Sequence, residues 1–453
     1  MSDSTDSRTV PGTAVPRHRV IIASLVGTSI EFFDFYIYGT AAVLVFPTLF
    51  FPEGDDTAAL LSSFATFGLA FVARPIGSML FGHFGDRIGR KATLVGSLLT
   101  MGLATVAIGL LPTFETVGYL APALLALMRF CQGLGLGGEW SGAALLATET
   151  AEPGRRGWAA MWPQLGAPIG FLFANGIFLI LMLTMGFSAG DADTDHAFLT
   201  WGWRIPFIAS AVMVVLGLYV RLKLTETPVF AQAVSEGRRV KAPLAEVVRT
   251  SWRQLIIGTF VMLATYTLFY LVTTWIISYG TGKVVDSSGI ALSISYTDFL
   301  ELQLVSVLFF AVFIPVSGRL ADRVGRRPLL LVVTALIVAY GASFAWFLRP
   351  ESMTTPVMLA FLVVGMTLMG LTFGPMSAVL PELFPTNVRY TGSGIAYNFA
   401  SIIGAAVAPF IATWVVHEYG VAWVGVYLVV AALLTFVAIL GVRETRDVEL
   451  TDV

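Results

Sequence analysis

The sequence predicts an all-α membrane protein of twelve spanning helices, arranged as two six-helix bundles with both termini in the cytoplasm. Three observations predict it. Of 453 residues, 56% are apolar and the mean hydropathy is +0.81, more apolar surface than a soluble chain of that size can hide. The apolar residues fall into runs of about 20 with few charges, the length that crosses a bilayer as helix. And "GHFGDRIGRK" at 82–91 recurs as "GRLADRVGRR" at 318–327, although only 12% of the chain is charged.

The elements follow in order. The polar stretch 1–19 has no apolar core and reads as a disordered tail, so the first span serves as an uncleaved membrane signal. Spans are expected near 20–46, 57–81, 92–111, 119–147, 158–184 and 201–222. Residues 223–252 form the longest polar connection, a cytoplasmic linker. Six more spans follow near 253–280, 297–317, 328–348, 354–380, 391–416 and 421–442, with 443–453 as a short tail. The domains are thus 20–222 and 253–442. Frequent Gly (44) and Pro (21) suit membrane helices, which tolerate both better than soluble ones do.

Orientation comes from the basic residues. With both termini on one side, 22 of the 27 Lys and Arg fall on that side, which the positive-inside rule makes cytoplasmic. The opposite loops carry acids, as in "PEGDD" and "GDADTD". A net charge of −2 points to no nucleic-acid partner. The single cysteine, Cys131, makes no internal disulfide and belongs to no metal-ligand cluster. No cofactor is expected, and the chain is read as a monomer in the lipid bilayer.

The two decapeptides lie 236 residues apart, each between the second and third span of its half. A second echo supports duplication: Glu149 and Arg156 in "ETAEPGRRG" match Glu382 and Arg389 in "ELFPTNVRYTG". Internal repeats of this kind are frequent in transporters. Each repeated Asp stands where a helix ends, so its carboxylate can meet a neighbouring helix N-terminus. Asp322 can dock on the 158–184 helix and Asp86 on the 391–416 helix, latching the halves on the cytoplasmic side. The competing reading is a plain orientation signal.

Ionisable groups inside a membrane cost roughly 2.5–3.5 kcal/mol each and tend to face a cavity and pair. Five stand out: Glu31, Asp34, Arg74, Arg129 and Glu139. At 1.5 Å per residue, Asp34 and Arg129 both fall near the midplane. A buried Arg stays charged and favours the ionised form of a neighbouring carboxylate. Asp34 is therefore the expected proton acceptor, with Arg129 as its modulator or as a clamp for a substrate carboxylate. A static salt bridge is the alternative. Glu31, three residues before Asp34, can share its proton. Glu139 and Arg74 lie at equal depth and form a plausible pair. Softer candidates for substrate contact are Tyr38, Gln132, Gln164, Asn175, Tyr266, Tyr270, Trp275, Gln303, Tyr397 and Asn398, each with packing as the competing role.

"GLGLGGEWSG" looks like a nucleotide-binding loop, but no strand precedes it and it lies inside an apolar helix. Gly133 and Gly137 are four apart, a spacing that lets helices approach closely. No catalytic triad or metal cluster appears, so an enzyme is not expected.

The pattern G-x-x-x-D-R-x-G-R-[KR] after the second span resembles the signature of the major facilitator superfamily. "EFFDFYIYG", "FVARPIGS", "RFCQGLGLGGEWSGA", "WGWRIPF" and "LPELFPTNVRYTG" resemble its bacterial metabolite:proton symporters, which carry shikimate, 2-oxoglutarate, citrate and proline or betaine. The resemblance implies two bundles rocking about a central site, a small-molecule substrate moved with protons, and an inner-membrane location. It implies a cytoplasmic gate of Gly82, Asp86, Arg87, Gly89, Arg90 and Glu149 in the first half, with Asp322, Arg323, Arg326, Glu382 and Arg389 in the second. The expected function is import of a small organic acid with protons. A zwitterion such as a betaine or an amino acid is the alternative.

Overall fold

The computed structural model describes residues 17–51, 56–88, 90–137, 139–149, 151–152, 154–188, 196–222, 243–385 and 388–448. In 17–20, 23, 56–57, 82–88, 90–94, 146, 149, 221 and 243–244 it describes the backbone alone. The described residues are helical with short connections. The long elements are α1 (Arg17–Leu44), α2 (Asp56–Ile88), α3 (Arg90–Gly109) and α4 (Leu120–Leu136, resumed as Glu139–Glu149). Then come α5 (Arg156–Met185), α6 (Arg204–Leu222), α7 (Trp252–Gly280), α8 (Tyr296–Val324), α9 (Arg326–Phe347), α10 (Thr355–Glu382), α11 (Arg389–Tyr419) and α12 (Val421–Leu440). Among the described residues, ten helical stretches are long and apolar enough to cross a membrane, and Val95–Gly109 is a shorter apolar helix.

The packing repeats with the sequence. In the first half α1 runs along α5, α2 along α4 and α3 along α6; in the second α7 runs along α11, α8 along α10 and α9 along α12. The halves meet where α5 packs on α8 and α2 on α11. Small residues permit the close crossings. A side chain at Gly133 would strike the backbone of Ala70, and one at Gly137 the backbone of Arg74, so the glycines of the fourth span bring α4 onto α2. Leu120–Leu145 reads as one continuous span, in line with the fourth span expected over 119–147.

Among the described residues, three π-turns interrupt the helices: Phe198–Gly202 before α6, Leu271–Trp275 in α7 and Ile402–Ala406 in α11. Such turns free backbone carbonyls and gather at functional sites. In α7 the freed groups are satisfied from α8: Gln303 Nε2 donates to the carbonyls of Thr273 (2.9 Å) and Val272 (3.3 Å). Gln303 therefore holds the bend of α7, and Trp275 at its end stacks on Tyr279 (centroids 5.2 Å apart).

Candidate functional site

Asp34 is fully buried on α1, and its carboxylate turns toward α3 and α6. Oδ2 accepts from Thr105 Oγ1 (3.1 Å) and Oδ1 from Ser210 Oγ (2.5 Å). Gln132 Nε2 donates to Thr105 Oγ1 (2.9 Å) and to the Asp34 carbonyl (3.3 Å). Arg129 Nη1 in turn donates to Gln132 Oε1 (2.5 Å). The direct Asp34–Arg129 contact expected from equal depth is not made; the two charges are joined through Gln132 and Thr105.

Arg129 is fully buried against aromatic faces rather than an acid. Its guanidinium carbon lies 3.9 Å from the Tyr38 ring centroid, 4.6 Å from Phe35 and 4.9 Å from Phe67. Desolvated cation–π contacts of this kind contribute up to about 2 kcal/mol each. They offset the cost of a charge at that depth. Tyr38 is anchored beneath it by a hydrogen bond to Thr66 (2.9 Å).

A second centre lies between the halves. A small cavity is lined by Arg74, Tyr266, Tyr270, Tyr397, Phe32 and Phe373, and its wall also includes Thr265, Phe269 and Phe310. Its water-accessible core is only ≈ 20 Å³, room for about one water. Arg74 stands within electrostatic reach of Glu31, Tyr266, Tyr270 and Tyr397. Glu31 also lies within electrostatic reach of Tyr36.

The remaining polar candidates tie helices together. Asn175 Oδ1 accepts from Thr40 (2.6 Å), joining α5 to α1. Gln164 bridges the halves: Nε2 donates to the Phe373 carbonyl (2.9 Å) and Oε1 accepts from Trp140 Nε1 (3.2 Å). Asn398 Nδ2 reaches Ser78 Oγ (3.1 Å) and the Gly137 carbonyl (3.3 Å). Glu139 is buried beside Trp140, whose ring stacks on Tyr397 at 3.8 Å. Of the residues expected to touch substrate, Tyr266, Tyr270 and Tyr397 line the cavity. Arg129, Tyr38, Gln132, Gln164, Asn175, Trp275 and Asn398 do not.

At the end holding the chain's C-terminal tail, the second copy of the repeat is fully described. Asp322 sits on the start of α5, with Oδ1 accepting from the Gly157 amide and Oδ2 from the Trp158 amide, both at 2.8 Å. This is the contact its position in the repeat predicts. Gly325, at φ +101°, supplies the left-handed turn from α8 to α9. Behind it Glu382 gathers Arg326 (3.3 Å) and Arg156 (3.1 Å). Arg389 Nε holds the Pro381 and Phe384 carbonyls. Arg323 offers its carbonyl to Arg446 (2.8 Å).

The tail itself joins this cluster. Glu444 accepts from the Arg326 and Arg327 amides (3.0 and 2.9 Å), capping α9, and Thr445 donates to Glu382 (2.5 Å). Arg156, from the other half, holds the carbonyls of Thr445 (2.8 Å) and Val448 (2.6 Å). Gly89 and the side chains of Asp86, Arg87, Arg90 and Glu149 lie outside the described residues, and of Gly82 only the backbone is described.

The family model described as "Sugar (and other) transporter" matches residues 19–453. The chain belongs to this family, within the major facilitator superfamily. It is 55% identical to the inner membrane metabolite transport protein YhjE of Escherichia coli (strain K12) over 95% of each chain. It is 32% identical to the shikimate transporter of the same organism, over 94% of this chain and 95% of that one. Among solved structures, the proton:xylose symporter XylE bound to 6-bromo-6-deoxy-D-glucose superposes with a TM-score of 0.69. It has 19% identity and covers 96% of this chain and 98% of that one, a likeness of fold. The protein is a multi-pass inner-membrane transporter and not an enzyme.

For this transporter, two functional features escaped sequence reasoning. Arg74 was read as a plausible partner of Glu139 and not as a substrate contact, yet it lines the cavity. The tail 443–448 looks like a short polar end and carries no periodicity. Its one signal is "RETR" directly after the last apolar run, an acid placed where it can cap a returning helix.

Proposed function

We propose that the protein is a proton-coupled symporter that imports a small organic acid by alternating access. The observation that supports this reading is the small cavity between the halves with Arg74 in its wall. A guanidinium offers a planar fork that matches a carboxylate, and the aromatic wall excludes water and strengthens the pairing. Ties cross between the halves on both sides of the cavity: Gln164 to Phe373 and Ser377 to Ala160 toward the tail, Tyr296 to Thr40 toward the other end. The molecule is therefore occluded, as an alternating-access carrier is midway through its cycle.

The reading takes α1 and α3 as further spans, twelve in all, in two bundles, with the tail end cytoplasmic. Asp34 is the proton site. Its link to the cavity runs through Thr105, Gln132 and Arg129 to Phe35 and Phe67, whose rings meet Tyr270 of the other half at 6.0 and 5.7 Å. Movement of Tyr270 on closure shifts the rings that hold Arg129, and so alters the hydrogen bonds of Asp34. The Asp322 contact with α5, together with Glu382, Arg326 and Arg156, is the cytoplasmic gate.

A second reading, a zwitterion as substrate, is favoured by one feature. The cavity is walled by aromatic faces, and Glu31 stands near Arg74. Aromatic faces attract a quaternary ammonium while the guanidinium takes its carboxylate.

Uptake into proteoliposomes tests both. A panel of labelled organic acids and betaines is offered with and without an inward proton gradient. An acid that accumulates only with the gradient is the expected result. A betaine alone accumulating selects the second reading, and accumulation indifferent to the gradient rejects proton coupling.

The gate has its own test. Asp322→Asn keeps the shape but removes the charge from the α5 start. It should enlarge the population open at the tail end about 2- to 30-fold, the range for a charge at a helix terminus. Spin labels at Leu222 and Val324 report it, and an unchanged distance distribution would remove Asp322 from the gate.

A further inference from the structure

Helix α1 ends at Leu44, at the end of the molecule opposite the tail. The last carbonyls of a helix lack donors from their own strand of turns. The Val43 carbonyl is a special case. The amide that would serve it, four residues on, belongs to Pro47, which has no N–H. The donor comes from the other half: Lys283 Nζ lies 2.5 Å from the Val43 oxygen. Lys283 stands on the turn after α7, next to Gly282 at φ +76°. Beside it the hydroxyl of Tyr296, the first residue of α8, reaches the Thr40 carbonyl (3.4 Å) one turn earlier on α1.

We infer that Lys283 is the latch at this end, holding the C-terminus of α1 closed against the α7–α8 turn, and that its release opens the cavity to this side. The charge logic is the complement of the other end. There a carboxylate of the second half, Asp322, sits on a helix start in the first half. Here an ammonium of the second half sits on a helix end in the first half. Helix dipoles favour anions at the start and cations at the end, so each contact is attractive and each must break for its side to open. The acceptor is backbone, so no substitution on α1 removes it; Lys283 alone can be changed. This positioning role rests on the alternating-access reading above.

The test uses the full-length protein reconstituted in lipid, in a Cys131→Ala background. Spin labels at Thr116 and Ser288 report this end; labels at Leu222 and Val324 report the tail end. Lys283→Met should raise the population open between Thr116 and Ser288 about 2- to 30-fold, with the tail-end pair remaining closed. Lys283→Arg, which keeps a cation, should stay near the wild type. An unchanged Thr116–Ser288 distribution in the Met variant would overturn the inference. So would equal broadening at both ends, which marks general loosening, or an Arg variant as open as the Met one. The distances need neither substrate nor gradient. Failure here therefore leaves the accumulation assay standing, and failure of that assay leaves a shifted distance standing.

Discussion

Asp34→Asn abolishes accumulation of substrate in response to a proton gradient while leaving exchange of labelled for unlabelled substrate in place. The expectation follows from the site. Asp34 is fully buried, held by Thr105 and Ser210, and touched by no cation. A carboxylate in that setting exchanges its charge only by taking up a proton, because no ion pair neutralises it. Asparagine keeps the volume and one accepting oxygen, so the packing of α1 against α3 and α6 survives. It cannot carry a proton, so the conformational change no longer draws on the gradient. Substrate binding stays, since Asp34 does not line the cavity. The measurement is paired: counterflow without a gradient, and net uptake with one, in the same proteoliposomes. Full net uptake by the Asn variant would place the proton elsewhere, with Glu31 the next candidate.

The second large effect is on binding. Arg74→Gln removes the cation from the cavity wall, and affinity for whichever acid of the panel accumulates should fall about 30-fold or more. Truncating one partner of a buried charge pair costs about 2–5 kcal/mol, and each 1.4 kcal/mol is tenfold. Arg74→Lys keeps the charge but loses the fork, and should weaken binding about tenfold. Arg129→Lys is the contrast. Arg129 is packed between Tyr38, Phe35 and Phe67, away from the cavity. Its substitution should leave affinity within about threefold, a difference small against these charge terms, and should instead impair coupling through the Gln132 link. Calorimetry on the purified protein separates the two. Equal loss in both variants would mean that the substrate reaches Arg129, and that the cavity at Arg74 is not the whole site.

This contrast shows where sequence reading stops. Burial is legible: Asp34 and Arg129 stand inside apolar runs of the sequence, and both are fully buried. Facing is not. In a soluble helix the polar stripe marks the outside, but in a bilayer the outside is apolar as well. Nothing in "FVARPIGS" or "MRFCQG" says which arginine looks into the cavity. Tyr266 and Tyr270 of α7, four apart in sequence and so on one face, stack at 6.4 Å. Gln303 could not be assigned from sequence. Its task is to satisfy the carbonyls of a π-turn, and that turn has no mark in composition.

By itself the sequence determined the helical membrane class, the repeat, and the contact of Asp322 with the start of α5. These rest on local rules: apolar length against bilayer thickness, backbone groups satisfied within each helix, and a charge placed at a helix end. The tertiary structure decided that Arg74 rather than Arg129 lines the cavity, that Asp34 reaches Arg129 only through Gln132 and Thr105, and that Lys283 serves the carbonyl Pro47 leaves open. Each of these depends on the rotation of one helix against another. Packing of small residues and π-turns sets that rotation across hundreds of residues of chain, and no spacing within a single helix encodes it.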